Sequence, residues 1–191
     1  ILCSVVGNDL DGRTLIGILQ ETGQQTLGIV PSKQRQTTVK TRVLGNNHQM
    51  LRIDQEDTFE LLEEEAAALI QTVYKLMDQQ TIGGLIFQDY NKGVLTQAVI
   101  ETLLDAARQR GIPTAVDPKK NNFFSYKKVA LFKPKLKEIR ASAPFEILAE
   151  PADLQKSATF LREQLENRLT MVTLSEKGLF LDDGTSEGVL Y

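Results

Sequence analysis

The chain has 191 residues, 41% of them apolar and 25% charged, with a formal net charge of −3. That is enough apolar material for one sizeable core, and it leaves no basic field to hold a polyanion, so nucleic acid is excluded as an expected partner. One cysteine, Cys3, and one histidine, His48, leave no internal disulfide and no Cys/His zinc site, a composition that fits a reducing, cytoplasmic compartment. No apolar run approaches the roughly 18 residues of a membrane span, so no membrane partner is expected.

Residues 1–7 predict a buried strand, after which Asp9 caps a helix carrying Leu15, Ile18 and Leu19 on one face and ending at Gly23. The opening lacks an initiator Met, and the end at Tyr191 follows a Gly and apolar residues that read as a strand beginning. The chain therefore reads as an excised piece, and the absence of a signal peptide carries no information. Residues 27–30 predict a second short strand. Over residues 37–44, Val39, Thr41 and Val43 alternate with Thr38, Lys40 and Arg42; Gly45-Asn46-Asn47-His48 is a turn, and residues 49–53 return. This is a hairpin with one charged face. From 58 to 78, Leu61, Leu62, Ala66, Leu69, Ile70, Val73, Leu76 and Met77 recur at the spacing of a long helix that docks on a sheet.

The second half repeats one pattern: strand 83–88, helix 96–110 closed by Gly111, strand 113–116, strand 129–133, helix 153–168 and strand 170–174. Strands alternating with helices predict a parallel sheet covered on both faces. Residues 178–182 and 189–191, around the Asp182-Asp183-Gly184 turn, suggest an antiparallel addition at its far end. No solenoid repeat or low-complexity linker interrupts the chain, and one domain is the expectation.

In open parallel sheets, ligands bind outside the carboxyl ends of the strands, where loops and helix N-termini converge. Those ends carry Asp89-Tyr90-Asn91-Lys92-Gly93, Asp117-Pro118-Lys119-Lys120, Pro134 followed by Glu138, and Ser175-Glu176-Lys177-Gly178. A rim of carboxylates, lysines and glycines suits phosphoryl transfer, in which cations and backbone donors offset spreading negative charge. Plainer readings stand beside this one. Asp89 and Asp117 are also ordinary turn residues, Lys40 and Arg42 an ordinary solvated hairpin face, Glu138 an ordinary helix start, and His48 a turn residue without a role. There is no Gly-x-x-x-x-Gly-Lys-Ser/Thr loop, no Gly-x-Gly-x-x-Gly after a strand and no Gly-x-Ser-x-Gly elbow, which removes support for P-loop, nicotinamide and hydrolase readings.

Four segments then align in order: Val6-Gly7-Asn8-Asp9-x-x-Gly12-Arg13, Thr37-Thr38-Val39-Lys40-Thr41-Arg42-Val43, Leu51-Arg52-Ile53-Asp54 and Asp89-Tyr90-x-Lys92-Gly93-Val94-Leu95-Thr96. Together with Asp117-Pro118-Lys119 and Val172-Thr173-Leu174-x-x-x-Gly178, they resemble the bacterial D-glycero-β-D-manno-heptose 7-phosphate kinases, a branch of the ribokinase-type (PfkB) carbohydrate kinases. The resemblance covers nearly the whole chain. It implies a three-layer α/β/α, mostly parallel ribokinase-like fold with a small β lid at residues 37–53, the whole of 1–191 forming one incomplete kinase domain.

The same resemblance implies ATP and Mg2+ as cofactors, a sugar phosphate as substrate and a homodimer formed through the lid hairpin. It places Lys40, Arg42, Asp89, Lys92, Asp117 and Lys119 toward the sugar phosphate. Lys135, Thr173, Ser175 and Gly178 fall on the nucleotide side, and Glu138 organises magnesium and the transferring phosphate. Two positions depart from the family: Lys135 stands where an uncharged amide precedes the motif's Glu, and Ser175 stands where a glycine lets the nucleotide approach the backbone. The family's glycine-rich sugar loop is expected before Ile1 and its Gly-x-Gly-Asp segment, with the general base, beyond Tyr191. Two other readings compete: a non-catalytic binding or dimerisation module, and a kinase of the same fold acting on another sugar.

Overall fold

β1 (Cys3–Gly7) buries Val5 and Val6 and pairs in parallel with β2 (Gly28–Ser32), with α1 (Leu10–Glu21) between them in sequence. The helix starts where Asp9 accepts a hydrogen bond from the Gly12 N–H at 2.7 Å, satisfying a donor that has no partner within the helix. The same carboxylate accepts from the Thr37 N–H and hydroxyl, both at 2.8 Å. These donors, the Thr37 N–H foremost, hold the Asp9 carboxyl below the ordinary carboxylate range.

β3 (Val39–Gly45) and β4 (His48–Gln55) form an antiparallel hairpin. Asn46 and Asn47 turn it with φ of 48° and 61°, the left-handed pair of a two-residue turn whose twist matches the strands. α2 (Glu63–Gln79) places Leu69, Val73, Leu76 and Met77 in the core, and the helix packs on β1 and β2. It begins at residue 63 rather than 58. The Leu61 N–H donates to the Gly93 carbonyl at 3.0 Å, and the Glu65 carboxylate reaches back to the Leu62 N–H, so the preceding residues pair elsewhere. The buried Glu65 also accepts the hydroxyl of buried Ser32.

β5 (Leu85–Gln88), β6 (Thr114–Asp117), β7 (Leu131–Phe132) and β8 (Leu169–Thr173) run parallel. β9 (Leu179–Asp182) and β10 (Val189–Leu190) add antiparallel, giving the order β10-β9-β8-β7-β6-β5. The connections include α3 (Gln97–Gln109), the short α4 (Leu136–Ser142) and α5 (Pro151–Leu165), which packs on β8 and β9. The α5 helix stops where Glu166 takes a left-handed φ of 55°, three residues before the predicted end. Phe87, Val116, Phe132, Val172 and Phe180 of the sheet meet Tyr126, Ile139, Leu154 and Leu161 inside. Each such fully buried apolar side chain contributes about 1.5–3 kcal/mol.

The computed structural model describes residues 1–191, and the chain divides into two compact units, Ile1–Gln80 with Lys92–Thr96 and Thr81–Asn91 with Gln97–Tyr191. No helix is long and apolar enough to cross a membrane.

Candidate functional site

In the second unit the four segments named from sequence follow the carboxyl ends of adjacent parallel strands. The Asp89 N–H donates to the Asp117 carbonyl at 3.1 Å, joining the ends of β5 and β6. The Asp89 carboxylate turns inward and is 2% exposed. It accepts from the Asn91 N–H at 2.7 Å, the Asn122 amide at 3.0 Å and the Tyr126 hydroxyl at 2.8 Å. Burial, and then the charge of Asp89, push the Tyr126 phenol far up, so it remains a donor. Asp89 thus anchors the 122–126 turn, and it offers no exposed face to a sugar.

Asp117 is more open. Its Oδ2 accepts from Lys133 Nζ at 2.9 Å and from the Gln88 amide at 3.1 Å, while the buried Oδ1 has no partner. Burial would raise this carboxyl, but the Lys133 and Gln88 donors, with the charges of Lys133 and Lys119, hold it below its ordinary value. Lys119 extends to Glu138 as an ion pair. Burial alone would lower the Lys119 ammonium, yet Glu138 and Asp117 hold it above its ordinary value. The other Glu138 oxygen accepts the Lys135 N–H at 2.8 Å, capping α4 from within. An amide at position 135 would share that cap. The exposed Lys135 side chain leaves it to Glu138 alone and stands free at the rim.

β7 and β8 meet just beyond their ladder. The Thr173 N–H donates to the Pro134 carbonyl at 3.1 Å, and Lys135 and Thr173 pair as a parallel bridge. Ser175 opens one turn of 3-10 helix with φ 58°, a conformation that costs a residue with a Cβ about 1–2 kcal/mol. Gly178 closes the turn with φ 90°, and a Cβ there would collide with the Tyr191 carbonyl oxygen. Asp117, Lys119, Lys135, Glu138, Thr173 and Ser175 therefore share one rim, with Asp89 beneath its surface.

In the first unit the hairpin register sets Lys40 opposite Asp54 and Arg42 opposite Arg52, all on one face. Lys40 Nζ lies 3.3 Å from Asp54 and 3.0 Å from Glu56, and Arg52 lies 3.0 Å from Asp54. Lys92 pairs with the same Glu56. The chain brings Lys92 there because Gly93, at φ 74°, packs so closely on Phe59 that a Cβ would collide with the Phe59 carbonyl. Buried Arg35 locks the junction, donating to the Lys92 carbonyl at 3.0 Å and the Phe59 carbonyl at 2.6 Å, with the Phe59 ring 5.0 Å from the guanidinium. Beyond the carboxyl ends of β1 and β2, Asn8, Asp9 and residues 32–36 line a cavity of about 410 Å³.

Glu56, Lys133 and Gln88 were not singled out from sequence, and Arg52 was quoted in a family segment without a role. Strand alternation through Arg52, Asp54 and Glu56 would have placed Glu56 on the face of Lys40. The parallel pairing Val116↔Phe132 sets Asp117 beside Lys133 one residue on.

The family model for pfkB family carbohydrate kinases matches residues 1–189. The chain belongs to the pfkB family of carbohydrate kinases. Among curated relatives, the Bifunctional protein HldE of Wolinella succinogenes is 35% identical over 187 residues, covering 98% of this pfkB chain and 39% of that protein. The HldE protein of Campylobacter jejuni subsp. doylei is 38% identical over 180 residues, covering 94% of this chain and 36% of the relative. The chain thus spans about two-fifths of the length of these relatives. Phosphofructokinase-2 from Escherichia coli in complex with fructose-6-phosphate superposes with a TM-score of 0.72 at 19% identity, over 98% of this chain and 60% of that one. Ribokinase from Giardia lamblia gives 0.73 at 12% identity, over 98% and 57%. These establish the ribokinase-like α/β fold for this pfkB member.

Proposed function

We propose that the protein containing this chain is an ATP-dependent sugar kinase that transfers the γ-phosphoryl group of ATP to the anomeric hydroxyl of a sugar phosphate, heptose 7-phosphate by its likeness to the HldE proteins. The observation that carries the phosphorylated substrate is the charged hairpin face. Lys40, Arg42, Arg52 and Lys92 stand there against only Asp54 and Glu56, a surplus of two positive charges. A phosphate monoester carries nearly two negative charges at neutral pH and meets such a surplus with charge-assisted hydrogen bonds.

The rim of the second unit carries groups suited to the nucleotide. Lys135, Thr173, Ser175 and Gly178 lie on the nucleotide side, and Lys119 and Lys135 offset charge on the transferring phosphoryl group. Asp117 and Lys119 belong to the sugar side of that rim, and Asp89 supports them from inside. A magnesium ion arriving with its nucleotide requires only one or two protein carboxylates. Glu138, and Asp117 through its unpartnered Oδ1, are the rim oxygens suited to hold it. Bound there, the ion would offset negative charge on the transferring phosphoryl group. The exposed apolar side of the hairpin, with Val43, Leu51 and Ile53, is the face on which lids of two copies pack in a homodimer.

A coupled assay of the intact protein, including the chain that flanks these residues, tests the reading against a panel of sugar phosphates. ATP consumption with a heptose 7-phosphate is the expected result. No consumption with any member of the panel overturns it.

A further inference from the structure

Lys40 and Lys92 reach Glu56 from separate segments, one on the hairpin and one on the loop after β5, and the two ammonium groups share its single carboxylate. The Glu56 side chain is only 18% exposed, against 38% for Lys40 and 31% for Lys92. The Lys92 and Lys40 donors hold the Glu56 carboxyl below its ordinary range, so it is ionised at neutral pH. Beside it, Arg42 faces Arg52 directly across the strands, and Asp54 pairs with Arg52 alone of the two, so the like-charge pairing is only partly offset until a further anion lies between or above them. A carboxylate presents two oxygens and one charge, whereas a phosphate monoester presents three oxygens and nearly twice the charge.

We propose that Glu56 is a placeholder for the phosphate of the incoming sugar phosphate. Without ligand it keeps Lys40 and Lys92 converged and offsets part of their charge. The phosphate dianion displaces it from both lysines and also relieves the Arg42/Arg52 pair. An unphosphorylated sugar has no charge with which to displace it. Glu56 thereby selects for the charge of the substrate as well as for its shape. This rests on the sugar-phosphate reading of the hairpin and adds to it the acidic residue that competes with the ligand.

The test is calorimetry on the intact protein with inorganic phosphate as the probe and mannose as the uncharged comparator. Glu56→Gln removes the competing charge and keeps the side chain's size. Phosphate should bind about fivefold more tightly to this variant, with mannose unchanged and the thermal midpoint within a few degrees of the parent. Asp54→Asn, which releases Lys40 alone of the two lysines, should shift phosphate in the same direction by less. If Glu56→Gln lowers the yield of folded protein, Asp54→Asn decides in its place. Unchanged or weaker phosphate binding in the folded variants overturns the placeholder role. Should Lys40→Ala abolish phosphate binding while Glu56→Gln gains none, the sugar-phosphate reading stands and the placeholder alone falls. An intact parent that binds neither inorganic phosphate nor any sugar phosphate removes both.

Discussion

The rim of the second unit and the hairpin of the first carry similar Lys–carboxylate pairs, but they hold them in different ways. On the rim, Asp117 and Glu138 side chains are 15% and 12% exposed, and backbone or amide donors take part of each carboxylate. Their positions follow from a four-strand parallel ladder that buries Phe87, Val116, Phe132 and Val172. The hairpin has only two strands, and every residue of β4 is exposed. Its charges are arranged by one another rather than by a core. A preorganised rim suits a group whose place must not change during phosphoryl transfer. Charges that only neighbouring charges hold suit a surface that must exchange one anion for another.

Substitutions on the two sides should separate stability from binding. The largest effect is expected at Asp89→Ala, which strands the buried Tyr126 hydroxyl and takes one acceptor from the part-buried Asn122 amide and Asn91 N–H. An unsatisfied buried donor costs about 1–3 kcal/mol, and the two part-buried donors add less, so the loss should reach about 2 kcal/mol or more in urea unfolding. A cost below about 1 kcal/mol would mean that the carboxylate faces solvent and is free for a sugar. Lys40→Ala and Arg42→Ala should do the opposite. The unfolding midpoint should hardly move, while KM of the intact protein for the proposed sugar phosphate rises about tenfold with kcat nearly constant. An unaltered KM in both variants removes the phosphate-gripping role and returns the hairpin to an ordinary solvated face.

The same contrast governs what was legible in the sequence. The parallel strands and their helices announce themselves through apolar spacing, because the core they enclose requires it, and β5 to β8 fall where the pattern placed them, although Ile86 of β5 stays exposed and the expected cover on both faces is incomplete there. The antiparallel addition at the far end also appears, as β9 and β10. Lys40 and Arg42 are readable because strand alternation is local. What was not legible depends on partners distant in the chain. Whether Asp89 looks out or in is decided by Asn122 and Tyr126, which no local pattern ties to it. That Lys40 and Lys92 share Glu56 is decided by Gly93 packing on Phe59. The start of α2 was placed early because apolar spacing continues through Leu61 and Leu62, while their backbone pairs with Gly93 and Glu65. Glu138 reads locally as a helix start, but the bounds of α4 do not, because a seven-residue helix spans only two turns, too few for a period to show.

The smallest expected change lies at Ser175, where the departure from the family glycine coincides with a positive φ. Glycine removes the steric cost of that conformation but adds freedom to the unfolded chain, and the two contributions, each about 1 kcal/mol, largely cancel. Ser175→Gly should therefore leave stability within about 0.5 kcal/mol of the parent. Nucleotide binding gives the sharper measurement. If the residue lies against the nucleotide as the rim geometry supports, removing its side chain lets the phosphates or ribose approach the backbone between β8 and β9. ATP affinity, measured by calorimetry on the intact protein, should then rise a few-fold. A fall in affinity would instead make the Ser175 hydroxyl a ligand contact, and this chain would have replaced the glycine's close approach by a hydrogen bond.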